Sequence, residues 1–390
     1  MGRNIVICLD GTGNEIEENI SNVLKVYRVV ERSEAQPVYY SQGVGTLAEV
    51  RLWSRFRQWY YDSFLGKLFG YGIDAKIEEA YRFLVERWEP GDRVFIFGYS
   101  RGAYMARVLA GMLHTVGVVQ RDQINLAGAA YAAYLSEPRE GELAGLEDSR
   151  AQTFRRITQS RICPVHFLGL FDTVGSVLVP NFGDSPSWLF TRDPYPHTYF
   201  NPGVATVRHA VAVDERRQMF PVSLWPPGQE LRPNPYAYGP FPEQELDEAW
   251  FAGAHGDIGG GNPRAESGLS QIPLMWMLDG AKAAGLRVNT RMVDYVTGVK
   301  PYTPTTLHLY PEPDPTGKLH PSLKGLWWLF ELSPTRAPKT KATPRATGRW
   351  RFPLGDARSI PESAVIHPTV YERMERVADY RPGNVPGREM

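Results

Sequence analysis

Apolar positions along the first 120 residues follow two alternating rhythms. NIVICL (4–9) is a short apolar run that ends in the turn-rich DGTGN. ISNVLKVYRVVERS (20–33) then spaces its apolar residues at 20, 23, 24, 26, 27, 29 and 30, as a helix packed on one side does. QPVYYSQGV (36–44) reads as a second strand. DAKIEEAYRFLVERW (74–88) is an amphipathic helix with Asp74 at its N-cap, stopped by Glu89-Pro90-Gly91. RVFIFG (93–98) is a third strand, and the helix that follows ends at Gly117. Strands alternating with helices predict an α/β fold, a mainly parallel sheet covered by helices.

Beyond residue 120 the rhythm loosens. The stretch 121–160 reads as helical, and PVHFLGLFDTVGS (164–176) as a buried strand leading into a turn. VRHAVAVDERR (207–217) fits a helix or a strand turning at Asp214. EAWFAGAHGDIGGG (248–261) reads as a strand running into a flexible glycine-rich loop, and SQIPLMWMLDGAKAAGL (270–286) as the next helix. Two insertions interrupt this single domain of residues 1–390. One, 44–72, is rich in Trp, Phe and Tyr, and the other, 301–360, is rich in proline. Each is either an extra layer on the core or a lid over a pocket lined with aromatics.

Composition narrows the functional classes. Forty-three basic residues balance 43 acidic ones, so the chain lacks the basic excess that nucleic acid demands. Two cysteines, Cys8 and Cys163, sit in apolar runs and cannot build a disulfide framework. The apolar run before Asp10 is too short for a signal peptide, and no run of about 18 apolar residues offers a membrane span. The expectation is a soluble chain, cytoplasmic as synthesised.

The informative stretch is RVFIFGYSRGAYMARVLAGML (93–113), in which Gly98-Tyr99-Ser100-Arg101-Gly102 matches G-x-S-x-G between a strand and a helix. A serine on that sharp turn stands proud of the sheet. Gly98 and Gly102 let strand and helix approach, and the helix N-terminus offers free N–H groups to an oxyanion. Ser100 is therefore the expected nucleophile. It needs a histidine base and an acid to orient that base, in the chain order Ser, acid, His.

His255 ends an apolar strand and is the expected base, with His367 in VIHPTVYERM as its rival. Asp172 ends a buried strand where active-site loops gather and is the expected acid. Asp214 and Asp257 are the alternatives, Asp257 being better suited to bonding its own glycine loop. The oxyanion hole would combine the Arg101 amide with Gly11 or Thr12 of the DGTGN turn, and Asp10 would brace that turn. The turn lacks the lysine and spacing of a phosphate-binding loop. No His/Cys/Asp cluster has metal-ligand spacing, so neither metal nor cofactor is expected.

ICLDGTGN, FGYSRGAYMARVLAGML, GLFDTVGS, AVAVDERR, WFAGAHGDIGGG and IHPTV together resemble the α/β-hydrolase-like domain of type VI secretion lipase (phospholipase) effectors. Related stand-alone proteins of bacteria and fungi share these motifs. The resemblance implies a Ser-Asp-His hydrolase of phospholipid esters, with Ser100, Asp172 and His255 in the three roles. It also implies delivery by a secretion system. The expectation is that the long extra domain which large effectors carry for membrane engagement is absent here. Leu52, Trp53, Phe56, Trp59, Tyr60, Phe64, Leu65, Leu68 and Phe69, with Arg51, Arg55 and Arg57 among them, would make a transient membrane-contacting face or pack as core. The competing readings are a soluble carboxylesterase for small acyl esters and a non-catalytic interaction protein on a hydrolase fold.

Overall fold

The computed structural model describes residues 2–11, 19–43, 72–138, 149–174, 177–180, 190–193, 195–234, 237–303, 310–325, 327–332 and 352–387. The aromatic insertion 44–72 lies outside these residues except for Gly72, as does much of the proline-rich one. The strands are β1 (Asn4–Leu9), β2 (Val38–Ser41), β3 (Arg93–Tyr99), β4 (Val165–Phe171), β5 (Val177–Pro180), β6 (Phe190–Asp193), β7 (Val204–Ala212), β8 (Glu245–Phe251) and β9 (Val365–Ile366). Seven of them form one sheet in the order β2-β1-β3-β4-β7-β8-β9, and β5 and β6 form a separate hairpin. Every pairing in the large sheet is parallel. This is the helix-covered α/β fold that the alternating pattern predicts.

The helices are α1 (Asn22–Val29), α2 (Ile73–Arg87), α3 (Arg101–Thr115), α4 (Ala127–Leu135), α5 (Arg150–Thr158), α6 (His255–Gly259), α7 (Gly268–Ala283), α8 (Thr290–Val296), α9 (Trp327–Glu331) and α10 (Pro368–Arg376). Period-2 alternation sorts strand residues into two layers. Ile5, Ile7, Leu9, Val94 and Ile96 join a core with α2, α3 and α4. Val6, Cys8, Phe95 and Phe97 join the opposite core with α1, α7 and α8. Both faces are covered, which explains why the strands read as continuous apolar runs. Both cysteines are buried and free.

Three elements are defined more sharply than the sequence allows. VRHAVAV, open between helix and strand, is strand β7, held between β4 and β8. The stretch 121–160 divides into a 3-10 turn at Arg121–Leu126 followed by α4 and α5. The glycine-rich stretch after β8 is no flexible loop but the short helix α6. It is closed by Ile258 N–H on Ala254 O and Gly260 N–H on Gly256 O, and Asp257 Oδ2 accepts the Ala254 N–H at 3.0 Å.

The chain reverses direction across the sheet between β1 and β3. β1 leads outward to β2, whereas β3 leads the other way to β4. Loops leaving the carboxyl ends of two such strands diverge and open a crevice. Asp10 and Ser100 stand at those two ends.

Candidate active site

Ser100 occupies the one-residue turn between β3 and α3 with φ 57° and ψ −120°, a conformation costly for any residue with a side chain. Two glycines make that turn sterically feasible. A Cβ on Gly98 would lie 2.5 Å from Ala103 Cα, and one on Gly102 would lie 2.1 Å from Leu9 O, both backbone collisions. The Ser100 N–H is held by Phe171 O at 3.0 Å, which ties the turn to the end of β4. The residue that follows that strand, Asp172, also has a positive φ, at 39°. Its N–H donates to Ala210 O at 2.7 Å. Backbone strain thus falls on two of the three expected catalytic residues.

The third residue joins them. His255 Nε2 lies 2.8 Å from Ser100 Oγ, and its Nδ1 lies 2.5 Å from Asp172 Oδ2. His255 is the first residue of α6, so the strand-to-helix junction after β8 delivers the ring to the sheet edge. Its N–H donates to Glu215 Oε2 at 3.3 Å, and its carbonyl accepts from the Tyr99 hydroxyl at 3.2 Å. Tyr99 and Phe220 flank the ring at centroid distances of 4.8 and 5.2 Å.

The rivals are occupied elsewhere. His367 caps α10 through Thr369 and stacks on Phe251 at 4.4 Å. Asp214 accepts from Gly253 N–H and the Tyr380 hydroxyl. Asp257 accepts from Ala254, Asn262 and His320.

Electrostatics of the group are set by burial and two arginines. Burial would raise the Asp172 pKa, but the Arg358 guanidinium and the His255 hydrogen bond overcome it and hold the carboxyl well below its usual range. Arg358 Nη1 donates to Oδ1 at 2.6 Å and Nη2 to Oδ2 at 3.1 Å, and Ala212 N–H donates to Oδ1 at 3.0 Å. Glu215 is likewise opposed by burial and then lowered to about 2, chiefly by Arg217. His255 is lowered by burial, which outweighs the opposing pull of Asp172.

Sequence reasoning did not single out Arg358, Glu215 or Arg217. Arg358 sits in an irregular polar loop, where no periodicity marks a residue as inward-facing. Glu215 was visible only as part of the DERR run.

The oxyanion donors expected from the loop after β1 are described only in part. Asp10 accepts from Ser21 Oγ at 2.5 Å and from the Tyr40 hydroxyl at 2.9 Å. It also takes the Gly11 N–H at 2.7 Å, so the amide expected to serve an oxyanion is engaged by a carboxylate. Thr12 lies outside the described residues. Arg101 opens α3, with its amide at the helix N-terminus beside Ser100. Among the described residues, no group of three His, Cys, Asp or Glu side chains could hold a metal ion.

The family model for the type VI secretion phospholipase effector Tle1-like catalytic domain matches residues 3–280. The chain belongs to that family. The matched span carries Ser100, Asp172 and His255 and stops short of Arg358. A relative in Saccharomyces cerevisiae, the uncharacterized protein YEL023C, is 35% identical over 232 residues, covering 56% of this chain and 32% of its own. Two solved structures share 18% identity with this Tle1-like chain. An uncharacterized Pseudomonas aeruginosa protein covers 74% of this chain and 46% of its own, with a TM-score of 0.37. The Tle1 effector bound to the VgrG spike of the type VI secretion system covers 66% and 51%, with a TM-score of 0.34. The chain thus spans about a third of the yeast relative's length and about half of each solved chain.

Proposed function

We propose that this Tle1-like domain is a serine ester hydrolase working through an acyl-enzyme, with phospholipid esters as substrates. The observation that carries the reading is the hydrogen-bonded chain from Ser100 through His255 to Asp172, set on a strained strand-to-helix turn. Ser100 Oγ attacks the acyl carbonyl while His255 Nε2 takes its proton. Asp172 holds Nδ1–H, fixes the tautomer and stabilises the imidazolium. The oxyanion forms beside the Arg101 amide and the positive end of α3. His255 then protonates the leaving alcohol, and water attacks the acyl-enzyme with the same imidazole as base, returning the free acid and Ser100. Family membership also supports delivery by a type VI secretion system as a proposal.

The depressed His255 pKa supplies the first expected result. Catalysis needs the neutral imidazole, so kcat/KM rises with pH as His255 loses its proton. Because burial lowers that pKa, the acidic limb falls below the ordinary histidine value of about 6.5. A pH–rate profile with the limb at or above that value would mean that the pull of Asp172, and not burial, sets the His255 pKa, and the absence of an acidic limb would count against His255 as the base.

The lipid assignment has local support. Phe220, which flanks His255, meets Trp327 edge-on at 5.2 Å, and Arg217 lies 3.7 and 4.7 Å from these two rings. From the same helix α9 and its end, Trp328, Leu329 and Leu332 are exposed. Gly355 N–H donates to Glu331 Oε2, tethering the segment that carries exposed Phe352 and Leu354 to α9. Grouped apolar side chains beside a site suit a substrate held in a lipid aggregate. Replacing Trp328 and Leu329 with Glu is expected to lower turnover of phospholipid vesicles much more than turnover of p-nitrophenyl acetate. Equal loss on both, or wild-type turnover of short esters alone, would move the assignment to a soluble carboxylesterase.

A further inference from the structure

We propose that Arg358 is a positioning residue for the hydrolase, acting through Asp172 as a fourth member of the Ser100–His255–Asp172 group; this rests on the triad reading above. Asp172 is fully buried and receives four hydrogen bonds. Three of them, from the Ala212 N–H and the two guanidinium nitrogens, fix the plane of the carboxylate. What they leave available is the lone pair on Oδ2 that faces His255 Nδ1. A carboxylate resting on His255 alone could swing about its χ2 torsion, and the imidazole would swing with it.

Arg358 is itself immobilised in a way that serves this geometry. Nη2 also donates to Phe220 O at 2.8 Å, and Nη1 faces Ala212 O at 3.4 Å. Asn384 Nδ2 donates to both the Arg358 and the Val213 carbonyls at 3.0 Å, clamping the arginine backbone to the strand end beside Asp172. The side chain is only 7% exposed, so its charge is poorly screened and its pairing with Asp172 correspondingly strong. A planar fork matches a carboxylate in two bonds at once, which a lysine ammonium cannot do.

Charge follows the same geometry. Arg358 shares the negative charge on which the His255 imidazolium depends. It therefore holds the base at a lower pKa than an unshared Asp172 would. Removing the guanidinium leaves the whole carboxylate charge to His255, so the imidazolium gains and the acidic limb of the rate profile moves to higher pH. Loosened orientation lowers the rate at the same time.

The test measures the second-order rate of Ser100 phosphonylation by a fluorophosphonate probe against pH, for wild type, Arg358→Gln and Arg358→Lys, each normalised to folded protein by thermal unfolding. This readout needs no identified substrate. Arg358→Gln is expected to react roughly tenfold to a hundredfold more slowly, with its acidic limb displaced upward. Arg358→Lys keeps the charge and is expected to retain the wild-type limb while recovering only part of the rate. An Arg358→Gln limb that coincides with wild type, with a rate falling only in step with the folded fraction, overturns the positioning role and leaves the triad intact. No labelling of wild type, or equal labelling of Ser100→Ala, removes the triad and this role with it.

Discussion

Ser100→Ala is expected to abolish phospholipid hydrolysis while leaving the fold in place. Alanine keeps the Cβ that the turn already accommodates, and the backbone bonds from Ser100 N–H to Phe171 O and from Tyr104 N–H to Ser100 O do not involve the hydroxyl. Only the attacking atom and its bond to His255 disappear. Loss of the nucleophile in comparable triads removes about a ten-thousandfold or more of the rate, the remainder coming from oxyanion stabilisation and binding. Vesicle hydrolysis followed by free fatty acid release, with fluorophosphonate labelling in parallel, reads both chemistry and nucleophile. A variant that keeps more than a few per cent of wild-type turnover would remove Ser100 from its role.

Asp172→Asn is expected to do damage of two kinds. The amide can present an N–H where His255 needs an acceptor, which mis-sets the imidazole tautomer, and the catalytic cost is about ten-thousandfold in triads of this type. Stability suffers separately, because the substitution leaves the Arg358 guanidinium buried against a neutral group. Breaking a buried ion pair from one side costs about 3–5 kcal/mol, more than the roughly 1.5–3 kcal/mol of a fully buried Leu or Phe side chain. Sign and pH window agree with the depressed carboxyl pKa. The pair contributes its stability above the unfolded carboxyl value near pH 4, and that contribution is lost as pH falls toward the folded value. Urea unfolding at neutral pH should therefore separate Asp172→Asn, destabilised, from Ser100→Ala, unchanged. Equal midpoints for the two variants would mean that Arg358 does not depend on Asp172 for its charge balance.

Legibility in the sequence followed the physics of each element. β1 and β3 were readable because a strand buried on both faces is apolar along nearly its whole length, and each run is short and bounded by turn residues. The turn at Ser100 was readable because Gly98 and Gly102 answer a steric demand that leaves a fixed spacing. Asp172 and His255 were readable as polar residues stranded at the ends of such strands.

β7 was ambiguous, because a short apolar run satisfies helix and strand alike until its neighbours β4 and β8 are known. The segment after β8 misled because its glycines suggest a loose chain. Asp257 and backbone bonds close it into α6, and the helix sets the direction of the His255 ring. Arg358 left no trace at all. A single charged residue in a loop acquires meaning only from the carboxylate it meets 186 positions away.

The order in which the chain supplies its parts has one more consequence. β9, which pairs with β8, and Arg358, which pairs with Asp172, both come after residue 280, where the match to the family model ends. A polypeptide cut there would keep every residue of the proposed triad and yet expose the edge of β8 and bury an acid without its cation. A growing chain would hold Ser100, Asp172 and His255 well before it holds the cation that pairs with Asp172.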